Sequence, residues 1–233
     1  DEREEQDQRR PGEQRAGHAV MEPGPDHGRE ARPRGGPVEV APGVLRLVAP
    51  NPSPMTGDGT NTYVLGRGEA LVVDPGPDDP GHLAAIRAAL GSRRVAAVVV
   101  THAHRDHSAL APRLGREAGA PVLAWGGAGD GQRPLPPSFA APGGADEGFR
   151  PDRRLGHGDA LEAGGVRLRA LHTPGHLGAH LCLDSGGWVL TGDHAMGWST
   201  SVVAPPDGDM GDYLDSLRRL LALGLAGGRR GGG

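Results

Sequence analysis

The stretch that most restricts the fold is VAAVVVTHAHRDHSAL, residues 95–110. Six apolar, largely β-branched residues make a buried strand. It opens at once onto three histidines and an aspartate within positions 102–107. A strand end is where a rigid sheet can hold ligating side chains in fixed directions. If strand geometry continues past Val100, His102 and His104 project to the same side, Asp106 continues that face, and His107 points elsewhere. One short loop then offers two ligand directions, which suits two neighbouring cations. Four such groups in six residues would be a costly way to build an ordinary core.

The surrounding pattern supplies a scaffold. VEVAPGVLRLVAP reads as short alternating strands, and GTNTYVLG with GEALVVDPG reads as a hairpin ending at Asp74. PGHLAAIRAALG has Pro80 at its start and Gly91 beyond its end, the asymmetry of a helix. SALAPRLGREAGA reads as a second helix and PVLAW as a strand, so strand and helix alternate in an α/β layer. After a Gly/Pro-rich stretch from Gly126 to about Arg154 come the strands GVRLRAL, AHLCLDS and WVLTGD. A final helix in DMGDYLDSLRRLLALG is apolar at Tyr213, Leu214, Leu217, Leu220 and Leu221. Residues 1–37 mix dense charge with Pro and Gly and read as a disordered extension; residues 38–224 form the folded domain, and 225–233 a flexible Gly/Arg tail.

Composition narrows partners only slightly. The net charge of −4 gives no global positive field for nucleic acid and leaves a local patch open. All 25 basic residues are arginine, among 41 glycines and 22 prolines, which indicates coding bias and discounts arginine as a functional signal. The lone Cys182 reads as a small buried hydrophobe. Without a signal-peptide core or an apolar run of about 20 residues, the expected location is the cytoplasm, away from membranes.

Two later segments join the cluster. HTPGH places His172 and His176 around a turn after one strand, and LTGD places Asp193 at the end of another. His172, His180 and His194 each lie beside a better ligand and are left between hydrogen-bond partner and substrate contact. Isolated His18, His27, His82 and His157 read as solvated turn residues. Ser199, Thr200 and Ser201 read as a hydroxyl-rich strand start.

HxHxDH after a buried strand, the later TPGH, and GD at a strand end together resemble the metallo-β-lactamase fold superfamily. NPSPMTGDGTNTYVLG and GDHAMGWSTSVV further resemble its lactamase-like subgroup, which includes an endoribonuclease and many bacterial hydrolases. The resemblance covers roughly Val38 to Gly224. It implies a four-layer αβ/βα sandwich with metals in a groove at one edge. By carry-over His102, His104 and His176 hold the first metal, Asp106 and His107 the second, and Asp193 bridges them, with Asp74 supporting the metal loops. Zinc, one ion or two, is the default on nitrogen and oxygen ligands, with manganese or iron as alternatives. The implied activity is hydrolysis of an ester, thioester, amide or phosphodiester by a metal-bound hydroxide that Asp106 orients, with a small molecule as the substrate class expected first.

The chain departs from that pattern. Family members with a full dinuclear centre supply one more histidine from a GHG-type turn, and no histidine follows His194. The expectation is that the Gly/Arg tail replaces the true end, by truncation or frame shift, and leaves a sheet edge bare; the competing account is a protein that operates with an altered second site. The alternative function is therefore a metal-binding but catalytically silent fragment. A glyoxalase II-like thioesterase or a ribonuclease ranks lower, for want of a helical substrate domain or a basic extension, and a flavodiiron-type reductase lower still.

Overall fold

The computed structural model describes residues 19–20, 36–134 and 144–225. Most of the segment read as disordered, the tail from 226, and Phe139, His18 and His27 lie outside the described residues. In chain order the strands are β1 (Ala19–Val20), β2 (Val38–Ala41), β3 (Val44–Val48), β4 (Asn61–Leu65), β5 (Glu69–Val73), β6 (Arg94–Val99), β7 (Val122–Ala124), β8 (Arg153–Arg154), β9 (Ala160–Ala163), β10 (Val166–His172), β11 (Leu181–Asp184) and β12 (Trp188–Leu190). The helices are α1 (Pro80–Leu90), α2 (Arg105–Ser108), α3 (Ala111–Ala118) and α4 (Met210–Leu220).

Two sheets result, one ordered β2-β3-β4-β5-β6-β7-β8 and the other β1-β12-β11-β10-β9. Period-two alternation decides what each strand faces. In the larger sheet Val64, Val72, Val98 and Val100 point to α1 and α3, where Leu83, Ile86 and Leu114 meet them. The opposite side chains, Leu65, Leu71, Val73 and Val99, pack between the sheets against Leu168, Leu181, Leu183 and Leu190. On the far face of the smaller sheet Leu171, Cys182 and Val189 meet Leu220 of α4. The layers are therefore helix, sheet, sheet, helix, the expected αβ/βα sandwich. Burial pushes the Cys182 thiol up to about 12, an inert packing group.

Local chemistry sets the helix ends. Asp79 caps α1 by accepting from the His82 amide at 2.7 Å, Pro80 takes the first turn and Gly91 closes it. Asp209 caps α4 through the Asp212 amide at 2.9 Å. No helix among the described residues is long and apolar enough to cross a membrane.

Some expectations need correction. The strand geometry past Val100 does not reach Asp106, because Arg105–Ser108 is a helical turn that starts from extended His104. On α4 Leu214 is exposed, as is Leu221 just beyond its end, and the buried positions are Ser216 and Leu220. His82 is buried at the start of α1, where its Nε2 meets the Thr62 hydroxyl at 2.8 Å. The strand β9 arose where none was read, paired with β10 around Gly164 and Gly165. A further short strand, β1, pairs in parallel with β12.

Candidate metal centre

The ends of β6, β10 and β12 deliver His102, His104, His176 and Asp193 to one point. His102 Nε2 and His176 Nε2 each lie 3.0 Å from His104 Nδ1, and 3.8 and 3.7 Å from Asp193 Oδ2. Ligands about 2.0–2.1 Å from a tetrahedral cation sit about 3.3 Å apart, which matches these spacings. A hydrogen-bond pattern does not explain them. His104 Nδ1 carries one proton or one lone pair and cannot serve both neighbours well. The residues present fit a metal.

The outward nitrogens of the rings are already engaged. Asp74 accepts from the Thr101 amide at 2.7 Å, the Thr101 hydroxyl at 2.8 Å and His107 Nδ1 at 2.9 Å. Since the single Thr101 hydroxyl proton goes to Asp74, its oxygen accepts from His102 Nδ1 at 3.0 Å. His176 Nδ1 donates to the Val202 carbonyl at 2.6 Å. His102 and His176 thus share one tautomer, with Nε2 unprotonated and aimed inward, and His107 directs its Nε2 to the same region. Asp74 adopts φ +49° to reach this position, a left-handed conformation that aspartate tolerates better than most residues.

His107 Nε2 lies 3.3 Å from Asp193 Oδ1 and 3.4 Å from Asp106 Oδ2, the ingredients of a second position beside the first. Asp193 turns one oxygen to each. Without metal, burial alone would lower the His107 pKa, but Asp106, Asp193 and Asp74 hold it well above its ordinary value. Burial would raise Asp193, yet His107, His176 and His104 keep it well below the usual carboxylate range. His104 falls to about 4, through burial first and then its histidine neighbours His176 and His107.

The sign of the pH dependence follows. The raised His107 stabilises the metal-free fold fully below about pH 6.5, and that contribution is lost as pH climbs through its folded value. The depressed Asp193 contributes above about pH 3.9 and is lost in acid. A cation taking the second position would displace the His107 proton, so its uptake would tighten as pH rises. Titrating the metal-free chain with Zn²⁺ in dilute buffer is expected to release protons near neutrality; uptake without release would contradict this placement of His107.

The other histidines separate. His172 stacks on Trp125, with centroids 4.3 Å apart, and its Nε2 meets the Gly178 carbonyl, outside the ligand cluster. His157 is exposed. His180 and His194 are fully buried behind the centre with centroids 5.5 Å apart, so His194 faces neither cleft nor ligand point. Its turn, Gly192–His194, is 3-10 helical rather than a continuing strand. Only glycine fits Gly192, at φ +50°, because a Cβ would stand 2.8 Å from His180 Nε2 and Thr101 Oγ1. Ser201 pins the same turn, its one hydroxyl proton shared between the Asp193 and His194 carbonyls.

A cleft leads to the centre, walled by Met55, Leu177, Met196, Trp198 and Val202 beside His104, Asp106 and Asp193. Among the described residues no arginine lines it. Thr60, whose hydroxyl touches Asp106, and Asn51 behind it were missed in the sequence; a threonine and an asparagine in a turn carry no signal of a partner 46 positions away.

The sequence pattern of the metallo-beta-lactamase superfamily matches residues 55–226. An atrochrysone carboxyl ACP thioesterase of Aspergillus fumigatus is 33% identical over 190 residues, 79% of this chain and 54% of its own. The chain spans about half the length of the curated relatives it matches. Among solved structures, a metallo-beta-lactamase family protein from Thermus thermophilus is 28% identical with a TM-score of 0.63, over 80% of this chain and 72% of that one. Another, crystallised in a di-iron-bound form, is 26% identical with a TM-score of 0.54, over 76% and 86%.

Proposed function

Because the chain belongs to the metallo-beta-lactamase superfamily, we propose that it is a metal-dependent hydrolase acting on an acyl thioester or ester with an apolar acyl part. The observation that carries the reading is the convergence of His102 Nε2, His104 Nδ1, His176 Nε2 and Asp193 Oδ2 on one point. His102, His104, His176 and Asp193 hold the first cation, and Asp106, His107 and Asp193 the second. Zinc, iron and manganese all suit three imidazoles and carboxylates, and the di-iron neighbour keeps iron beside zinc as a candidate.

Bound there, such cations would supply an activated water of lowered pKa and polarise the bond under attack. The chain supplies the rest. Asp74 fixes the His107 ring, Asp193 spans the two positions, and Asp106 at the cleft floor orients the attacking water and takes its proton. Met55, Met196, Trp198 and Val202 hold an apolar group and exclude bulk water. A cleft with no arginine among its described residues is poorly suited to a phosphodiester backbone, which cations normally neutralise. The relatives named as ACP thioesterases support the thioester over the other bonds.

A panel of acyl thioesters, esters, a lactam, a bis-phosphodiester and RNA tests the choice. Turnover of an apolar acyl thioester is expected, with Trp198→Ala raising its KM by about tenfold, the loss of about 1.4 kcal/mol of apolar contact. Cleavage of RNA alone would overturn the substrate class. A second reading, a metal-binding chain without turnover, rests on the second position having three ligating side chains among the described residues; one bound cation and no hydrolysis of any substrate would favour it.

A further inference from the structure

Thr60, directly before β4, reaches the Asp106 carboxylate from the loop side. The Thr60 hydroxyl lies 2.7 Å from Asp106 Oδ2. Asn51 holds Thr60 twice over: its side-chain amide donates to Thr60 Oγ1 at 3.1 Å, and its side-chain carbonyl accepts from the Thr60 backbone amide at 3.0 Å. A hydroxyl has one proton. With Asn51 donating into the oxygen, the proton is directed at the carboxylate, a charge-assisted bond of the stronger kind. Asn51 is itself anchored, since its backbone carbonyl accepts from the Thr56 hydroxyl at 2.5 Å. The Ala49 amide closes the base of the same loop on the Thr60 carbonyl at 2.9 Å.

The oxygen that Thr60 grips is the one facing the second metal position. Asp106 Oδ2 is also 3.4 Å from His107 Nε2, so one of its lone pairs meets the Thr60 proton while the other faces the point shared with His107. Asp106 is only partly buried and stands at the start of a single helical turn, where Thr60 is the contact that restrains its carboxylate on the loop side. We infer that Thr60, oriented by Asn51, is a positioning residue that sets the Asp106 carboxylate for the second cation. The inference rests on the metallo-hydrolase reading above. It also ties cleft to centre, because the Asn51–Thr60 loop carries Met55 and Thr56 over the cleft mouth.

Zn²⁺ affinity at each position, measured by competition with a chromophoric chelator, tests it on wild type, Thr60→Val, Thr60→Ser and Asn51→Ala. Thr60→Val keeps the shape and removes the donor. It is expected to weaken the second Zn²⁺ by about tenfold or more while leaving the first unchanged, the scale seen when a ligand loses its hydrogen-bond partner. Hydrolysis at saturating Zn²⁺ then shows lower kcat at constant KM. Thr60→Ser restores both, and Asn51→Ala follows Thr60→Val in the same direction. Equal second-site affinity in Thr60→Val and wild type would overturn the inference and leave the hydrolase reading intact. Loss of both Zn²⁺ ions together in Thr60→Val, unrelieved by Thr60→Ser, would reduce Thr60 to a folding role and overturn it too. A wild-type chain that takes up no Zn²⁺ would overturn the underlying reading and this one with it.

Discussion

Alanine at both His102 and His104 is expected to empty the centre and lower hydrolysis by at least about a thousandfold, roughly 4 kcal/mol of lost transition-state stabilisation. The pair supplies two of the four atoms that converge on the first position. What remains, His176 and Asp193, lies 3.7 Å apart and lacks the number of donors that a closed tetrahedral site requires. The fold should persist in the metal-free state. His102 is fully buried and its pKa is held well below the ordinary value by burial and by its histidine neighbours, so its removal relieves a crowded site even as it leaves a void. Elemental analysis beside a thermal melt separates the two effects: unchanged metal content and activity would refute the ligand assignment.

Asp74→Ala is expected to cost the most in stability. One buried carboxylate accepts from the Thr101 amide, the Thr101 hydroxyl and His107 Nδ1, so its loss strands three donors at once. In the metal-free chain one of those donors belongs to a charged, buried His107, and removing the partner of such a charge costs roughly 3–5 kcal/mol. Alanine at φ +49° adds about 1 kcal/mol. Together these amount to a fall of roughly 10–20 °C in melting temperature for a domain of this size. Asp74→Asn retains the left-handed backbone preference and one acceptor, and should lose less. A melt of Asp74→Ala that overlays wild type would show that the Thr101–His107 loop is held by something else.

The sequence was most readable where structure is local. Pro80, Asp79 and Gly91 mark both ends of α1 within a dozen residues, and the β-branched runs of β4, β5 and β6 alternate cleanly between helix layer and sheet interface. The residues that gather at the candidate site were equally plain, because HxHxDH, TPGH and GD each sit directly after an apolar run. What failed depended on the third dimension. Asp106 was placed by extending a strand that turns helical at Arg105. His82 looked solvated in the sequence, yet the cap at Asp79 rotates it onto Thr62. Leu214 and Leu221 fit the apolar period of α4, but contact with the smaller sheet is made by Leu220. The hydroxyl of Thr60 meets Asp106 only because β4 and the end of β6 are brought together by the fold, and spacing along the chain carries no trace of that.

The most direct test is a metal count on the purified chain after reconstitution with Zn²⁺, run beside hydrolysis of an apolar acyl thioester. The convergence of His102, His104, His176 and Asp193, with His107 and Asp106 alongside, predicts a tightly held first ion, a weaker second, and turnover that rises with occupancy of the second. A chain that retains no metal at all would contradict it.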